Sequence, residues 1–431
     1  MKRVLFVLVA SLLAPLAWSA DLLEVYRDAV ANDAQFAAAR QEFIAGQERT
    51  IQARAGLLPN IGGSANVTRN RVDPSGMPTS NYTSNAWGVQ LTQPVFRMQN
   101  VIAAQQGALQ TELVEIRFEL ARQELILRVS DAYFNVLNAQ DALAAVSQLR
   151  TAAAEQRDIA STSFEVGTVT ITDVHEAQSR YDLALAQEIA AQSELDVRRH
   201  ALAQIIGTAA PAAIASLRPA IELTAPSPAN PEDWVSAAEL GGYGVQLQHV
   251  VREIASREVD RSRAGHYPTV DLVASHNQAK RQQTAIARTD ATMIGLQLNI
   301  PLYAGGAISS VERETAALRV KADFDLESAR RDAALAARQA YLGVTSGMAR
   351  IKALEAAEVS SLSALEANRL GYEVGVRINI DVLNALSQLA DTRQQLARAR
   401  YDTLLAQLRL KAAAGTLDEE DLRIVNSLLT E

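Results

Sequence analysis

Cysteine is absent from this chain and its histidines are few and scattered, so neither residue type forms a familiar catalytic or metal site. The 431 residues include no cysteine, which excludes disulfides, thiolate metal ligands and cysteine nucleophiles. The five histidines show no HExxH pair or other zinc-binding spacing. The segment GVTSG, Gly343–Gly347, has the glycine spacing of a nucleophile elbow, but threonine occupies its centre and a predicted helix contains it. We therefore predict that the protein is not an enzyme and holds no metal or cofactor.

Charge and hydropathy indicate an exported protein. The formal net charge of −8 disfavours nucleic acid and anionic lipid surfaces as partners, because both attract basic patches. Lys2 and Arg3 precede the apolar run VLFVLVASLLAPLA and the small-residue exit WSA, which predicts a signal peptide over residues 1–19. Cleavage after Ala20 and an uncleaved anchor are the alternatives. After the predicted signal peptide, no apolar stretch reaches the ~18 residues of a membrane helix, so any membrane crossing must use β-strands.

The chain contains one unit of about 200 residues twice, which is a duplicated half and not a solenoid repeat. Tyr133–Gly207 aligns without a gap with Tyr341–Gly415. Within this block, the segment SFEVGTVTITDVHEAQ at Ser163–Gln178 corresponds to GYEVGVRINIDVLN at Gly371–Asn384. Further upstream, RAGLLP matches RAGHYP, and GVQLTQPVF matches GLQLNIPLY.

Each half has the same predicted order of elements: an opening helix, two alternating strands, a long helix and a shorter returning helix. In the first half these are Leu22–Ala55, Asn60–Arg71, Asn85–Phe96, Met98–Thr162 and Thr172–Ile206. In the second half they are Trp234–Ala264, Thr269–His276, Ala291–Leu302, Ala307–Arg369 and Ile380–Ala414. The predicted domains are a signal peptide at 1–19, a first repeat at 20–207, a proline-rich linker at 208–233, a second repeat at 234–415 and a C-terminal helical segment at 416–431.

Element lengths and sheet edges predict an elongated assembly of several chains. A helix of about 65 residues is roughly 100 Å long, and leucines at heptad spacing such as Leu113, Leu120 and Leu127 are typical of coiled coils. Four strands cannot close a barrel, and an open sheet edge cannot face lipid. Three chains with four strands each would close a twelve-stranded barrel with its polar faces inward. The alternative is a two-domain α+β protein whose hairpins cap coiled coils.

Several segments together resemble the TolC family of outer-membrane efflux proteins. They are RAGLLP, RAGHYP, QLTQPVF, AYFNVLNA, FEVGTVTITDV and YEVGVRINIDVL, and the resemblance covers essentially the whole chain after the signal peptide. It implies an α+β membrane protein, a homotrimer that forms a 12-stranded outer-membrane β-barrel from four strands per chain. A long periplasmic α-helical barrel continues beneath it. Because the chain has no cysteine, it resembles the branch of the family that carries no lipid anchor.

The resemblance implies a gate latch where the long and returning helices meet. Tyr372 and Arg377 match residues that bond to the positions of Thr172 and Asp173 and hold the periplasmic end closed. A guanidinium and a phenol can both donate to one carboxylate, which makes such a latch chemically reasonable. The alternative is that these four are ordinary surface polar residues.

The resemblance also implies a constriction and a docking site. Asp381 matches the first of two aspartates that line the family's constriction, whereas Asn384 stands where the family has the second. One acidic ring in place of two is expected to weaken cation selectivity. The tips implied to dock a periplasmic adaptor are Val166, Gly167, Val374 and Gly375.

These implications define the expected function. The protein is expected in the outer membrane of a Gram-negative bacterium, in contact with outer-membrane lipid and extending into the periplasm. It would be a passive exit duct for a tripartite efflux or type I secretion system, working with a periplasmic adaptor and an inner-membrane ABC or RND-type transporter. A constitutively open diffusion porin and a periplasm-spanning structural protein without a pore are the alternatives.

Overall fold

The structure is a computed structural model, and it describes residues 20–73, 75–211, 213–218, 221, 223–281 and 288–430. The predicted signal peptide at residues 1–19 lies outside these ranges. The chain forms two compact units, which combine segments of both repeats. No helix among the described residues is long and apolar enough to span a membrane.

The first repeat contains the predicted elements, but its opening helix is divided, and its second strand begins at Ser80, before the predicted Asn85, because Ser80 pairs with Val72. The elements are α1 (Leu22–Asn32), α2 (Ala34–Ala55), β1 (Asn60–Val72), β2 (Ser80–Phe96), α3 (Met98–Glu165) and α4 (Ile171–Ile206). The prediction of one continuous opening helix was wrong, because the chain breaks at Asp33. The carboxylate of Asp33 accepts a bond from the backbone N–H of Phe36 at 2.6 Å and pairs with Arg128 at 3.0 Å, so it caps the start of α2.

The second repeat follows the same order. Its elements are α5 (Pro231–Gly241), α6 (Tyr243–Arg263), the 3₁₀ turn Ala264–His266, β3 (Thr269–Arg281), β4 (Arg288–Asn299), α7 (Ala307–Glu373) and α8 (Asn379–Ala413). The final helix is α9 (Glu419–Asn426). The opening helix is again interrupted, here at Gly242. The predicted end of β3 at His276 was too early, because the polar residues that follow pair with β4 as far as Lys280 opposite Arg288.

One compact unit spans Ala39–Leu120 and Leu240–Ala333 and contains the sheet. The strands pair antiparallel in the order β1-β2-β3-β4. Because directly paired residues point to the same side, the register separates two faces. One face, here called the apolar face, carries Ile61, Leu91, Ala274 and Ile294 in a single row, followed by the row of Leu272 and Leu296. The opposite face carries small and polar residues such as Gly62, Gln90 and Ser275, so the predicted alternation is confirmed.

The other compact unit covers the described parts of residues 1–38, 121–239 and 334–431. Its core contains the fully buried side chains of Leu22, Tyr133, Leu202, Leu404 and Leu422, which come from α1, α3, α4, α8 and α9. The linker joins this core through short bridges, one between Ala20 and Ile214 and one between Leu217 and Leu429. The hydroxyl of Tyr133 donates to the carbonyl of Ala215 at 2.7 Å, which ties the linker to α3.

Candidate gate at the two helix reversals

The two long helices end in the same backbone motif. At the end of α3, the N–H of Gly167 donates to the carbonyl of Phe164 and that of Thr168 to Ser163, both at 2.9 Å. At the end of α7, Gly375 donates to Tyr372 at 3.0 Å and Val376 to Gly371 at 2.9 Å. This is the Schellman pattern, which requires a residue with positive φ after the helix. Gly167 and Gly375 supply it, with φ of 79° and 78°.

The two returning helices begin differently. The carboxylate of Asp173 accepts bonds at 2.8 Å from both the backbone N–H and the hydroxyl of Thr170, and the hydroxyl of Thr170 accepts from the N–H of Asp173 at 3.4 Å. This capping box closes the first turn of α4. At the second reversal, Ile378 occupies the cap position and makes no side-chain cap bond. The duplicated turns therefore share a backbone but differ in how the next helix is held.

Arg377 and Tyr372 are engaged within the second reversal. The guanidinium of Arg377 lies 3.7 Å from the carboxylate of Asp381, with more than half of the Arg377 side chain exposed. Its alkyl chain passes over Gly371, where an added Cβ would come within 2.7 Å of Cγ. Tyr372 is partly buried against Leu365 and the neighbouring apolar cluster of α7 and α8. Glycine at 371 thus makes room for the path of the Arg377 side chain.

The structure does not bring the four predicted latch residues together within one chain. The described bonds of Asp173 go to Thr170, and Arg377 reaches Asp381. Thr172 is exposed on the first turn of α4. No described bond joins Arg377 to Asp173, so the latch stays a prediction.

The predicted constriction residues Asp381 and Asn384 both lie on α8, and a cation of α4 that sequence reasoning missed contacts one of them. Arg180 on α4 donates to the side-chain oxygen of Asn384 on α8 at 3.1 Å. Asp381 sits nearly one turn before Asn384 and pairs with Arg377. A usable signal existed, because Arg180 follows Asp173 at heptad spacing and so shares its face of α4. At this site each chain therefore presents two arginines, one aspartate and one amide.

Small side chains allow the helices behind these residues to approach closely. Ala153, Ala160, Ala177 and Leu383 form one buried cluster between α3, α4 and α8. Next to it, the guanidinium of Arg157 lies 4.5 Å from the centre of the Tyr181 ring, in cation–π geometry. Among the described residues, no group of histidine and acidic side chains is arranged to hold a metal ion.

The exposed tips of both reversals are apolar. Val166 and Val374 are 70% and 65% exposed, and Val376 and Ile378 are similarly uncovered. Each predicted docking pair, Val166 with Gly167 and Val374 with Gly375, therefore lies at the outermost point of a turn. Exposed valines at a rigid turn are a surface that another apolar surface can cover.

Duplicated helical hairpins and a four-stranded sheet with one apolar and one polar face point to the class of channel-forming outer-membrane proteins. The sequence profile of the outer membrane efflux protein family matches residues 25–208 and again 245–416, one match per repeat. The chain belongs to this family. Membership confirms the resemblance inferred from the motifs, and the family consists of outer-membrane proteins and not of enzymes.

Individual relatives and solved structures agree with the family. The chain is 32% identical to outer membrane protein TolC of Escherichia coli, over 100% of this chain and 90% of that protein. It is 33% identical to the alkaline protease secretion protein AprF of Pseudomonas aeruginosa, over 95% and 87% of the two chains. The fold matches the CmeC outer membrane channel of Campylobacter jejuni with a TM-score of 0.81 at 16% identity, over 94% and 89% of the two chains. The predicted fold class is thereby confirmed.

Proposed function

We propose that this protein is the outer-membrane exit duct of a tripartite efflux or type I secretion system. The observation that carries the proposal is the family match to both repeats. In addition, relatives that are named for protease secretion and for efflux align with this chain over most of their length. The duct is passive, so a separate inner-membrane ABC or RND-type transporter supplies the energy and selects the substrate. A periplasmic adaptor links the two.

The working form is a homotrimer. A single chain leaves β1 and β4 as unpaired edges of its four-stranded sheet, and such edges cannot stand in lipid. Three chains pair these edges in a twelve-stranded barrel whose lumen is lined by the small and polar face. The proposed domains are the two repeats at 20–207 and 234–415, the linker at 208–233 and the C-terminal segment at 416–431.

The two helix reversals form the periplasmic gate. In the closed trimer, Tyr372 and Arg377 bond to Thr172 and Asp173, with the Arg377 bond formed to a neighbouring chain. The carboxylate of Asp173 can accept these bonds in addition to its bonds from Thr170, because it has about four lone-pair sites. Exposed pairs of this kind contribute roughly 1 kcal/mol or less each. An adaptor that covers the tips at Val166, Gly167, Val374 and Gly375 can therefore open the gate.

Planar-bilayer conductance tests the duct and the gate together. The proteins compared are the wild type, the Tyr372→Phe/Arg377→Ser double variant and the control Arg398→Ser. Arg398 and Asp402 both lie on α8, and their charged groups are 3.7 Å apart. This pair matches the Arg377–Asp381 pair in distance and in its separation of four residues. We expect a small wild-type conductance that rises severalfold in the double variant and stays small in the control.

Two outcomes contradict the proposal. A large conductance in all three proteins removes the gate and favours an open diffusion porin. Folded protein that forms no channel under any condition excludes the duct and favours a periplasmic structural role.

A further inference from the structure

The positive charges of the sheet are concentrated on one face. Arg69 and Arg71 lie on the same face as Trp87, because they pair with Thr83 and Asn81 of β2. Lys280 and Arg288 are paired directly with each other on that face. We call these four exposed side chains, Arg69, Arg71, Lys280 and Arg288, the basic collar.

The basic collar lies at one end of the apolar face. Below it, the rows of Leu298, Leu296 and Ile294 are 60% to 74% exposed apolar side chains. Val270 and Lys280 mark the two ends of this face along β3, a separation of ~34 Å at ~3.4 Å per residue. A strand tilt of about 40° reduces this to roughly 26 Å across a membrane, close to the ~25 Å apolar band of outer-membrane barrels.

Aromatic and polar side chains mark the transition to the collar. Trp87 occupies the row just before it and donates to Gln278 at 3.1 Å. Gln278 in turn donates to Asp290 at 2.7 Å, and Arg288 pairs with the same carboxylate at 2.8 Å. Tryptophan at such a height is typical of the boundary between lipid tails and headgroups. The collar therefore lies at headgroup depth and not among the acyl chains.

The collar has more positive charge than its own neighbours neutralise. Asp290 forms an ion pair with Arg288, and no described carboxylate pairs with Arg69, Arg71 or Lys280. Lys280 and Arg288 stand directly opposite each other, which is unfavourable for two like charges in a sheet. An anion bound between them would remove this repulsion. The chain as a whole is acidic, with a net charge of −8, so the collar is a local exception.

We propose that the basic collar binds the phosphate groups of a phosphorylated glycolipid in the outer leaflet of the outer membrane. The proposal rests on the proposed function, because it requires the sheet to be inserted in that membrane. The hairpin ends that carry the collar point away from the helices of the same unit, so the collar faces the outer leaflet when the helices are periplasmic. Arginine can hold phosphate oxygens in bidentate fashion, and lysine adds a point charge.

Lipid binding to the intact trimer in nanodiscs or detergent tests the proposal. The probes are bisphosphorylated lipid A, its dephosphorylated form and phosphatidylglycerol, each followed by native mass spectrometry. The variant is Arg69→Gln/Arg71→Gln/Lys280→Gln, which leaves the Arg288–Asp290 pair intact. The control is Arg54→Gln/Arg313→Gln/Arg319→Gln, three exposed cations on α2 and α7. A second variant, Arg69→Lys/Arg71→Lys/Lys280→Arg, keeps the charge.

We expect the wild type to prefer bisphosphorylated lipid A over both other lipids. Affinity should fall roughly fivefold for each neutralised cation and stay unchanged in the control and in the charge-keeping variant. The proposal is overturned if the wild type and the glutamine variant bind bisphosphorylated lipid A equally. It is also overturned if the wild type binds phosphatidylglycerol as tightly as bisphosphorylated lipid A. Bilayer conductance is recorded on the same samples. A conducting channel with no collar-dependent binding overturns this inference alone, whereas a wild type that forms no channel overturns the proposed function as well.

Discussion

Asn384 and Arg180 give the predicted constriction its own electrostatic character. An aspartate at position 384 would add a negative charge to that of Asp381, but the asparagine present accepts a bond from Arg180 instead. Because Asp381 is already paired with Arg377, the acidic charge at this site is partly balanced within each chain. Asn384 and Arg180 thus both lower the preference for cations that is expected of this site.

Substitutions at this pair should change ion selectivity in a defined order. Arg180→Gln should raise the K⁺ over Cl⁻ permeability ratio about threefold to fivefold, because one unit charge at ~4 Å is worth ~1 kcal/mol in water. Asn384→Asp alone should change it less, since Arg180 would pair with the new carboxylate. The double variant should be the most cation-selective. Reversal potentials in a salt gradient measure the ratio.

Arg198→Gln is the matched control for this series, because Arg198 lies on the same helix and pairs with Glu194 at 2.7 Å, away from the reversal. Its permeability ratio should equal that of the wild type. If Arg180→Gln also leaves the ratio unchanged, Arg180 does not face the conduction path.

At the scale of elements, the two helix reversals show how a duplicated unit can diverge without losing its shape. Both long helices end in the same glycine-dependent motif, so the turns are superimposable in their hydrogen bonds. Only α4 starts with a capping box, whereas α8 starts at Ile378 without a side-chain cap. The second reversal is therefore the less constrained one, and it also carries Tyr372 and Arg377.

Removing the cap should loosen α4 and leave its counterpart unaffected. Thr170→Ala removes the side chain that bonds to Asp173, which should cost ~1 kcal/mol and speed hydrogen exchange of the first-turn amides of α4 about fivefold. The matched change Ile378→Ala at the start of α8 removes no cap bond and should leave exchange there nearly unchanged. Mass-spectrometric hydrogen exchange measures both. Equal acceleration in the two variants would show that the capping box does not hold the turn.

At the scale of the whole molecule, a partly buried polar pair joins distant parts of the chain. The hydroxyl of Tyr401 on α8 donates to the carboxylate of Asp141 on α3 at 2.6 Å, and the Tyr401 ring stacks on Phe134. Burial raises the pKa of Asp141 above its ordinary value of 3.8, although the bond from Tyr401 and the charge of Arg400 oppose the rise. Burial thus disfavours the charged form of Asp141 in the folded chain.

The raised pKa predicts how stability depends on pH. A carboxyl whose pKa is higher in the folded than in the unfolded chain stabilises the fold when protonated and loses this contribution as pH rises. Asp141→Asn should therefore be more stable than the wild type near pH 7, with an advantage that shrinks as the pH falls towards 4. Thermal unfolding across this range measures the difference.

Tyr401→Phe provides the opposing control. It leaves the partly buried Asp141 carboxylate without its hydroxyl donor, which should cost ~1 kcal/mol at neutral pH and less in acid. A stability difference between Asp141→Asn and the wild type that does not vary with pH would mean that Asp141 titrates alike in both states.

The amino-acid sequence by itself determined the repeat, the order of elements, the sidedness of the strands and the position of both reversals. These features depend on short stretches of sequence. Helices and strands differ in the periodicity of their apolar residues, and a glycine that adopts positive φ ends a helix. Interruptions at Asp33 and Gly242 escaped prediction, because Asp33 acts as a cap through its own backbone geometry and through Arg128 on another helix.

The tertiary structure alone decided which residues meet across the repeats. Arg180 reaches Asn384 only because α4 and α8 pack side by side, and helix periodicity says nothing about which face meets which partner. Likewise, the predicted strand ended at His276, and only the pairing register places Lys280 on the apolar face, opposite Arg288 and beyond Trp87. Net charge averages over such surfaces, so an acidic chain can still present a basic collar. Contacts between distant segments depend on packing and register, which are properties of the folded chain and not of any local pattern.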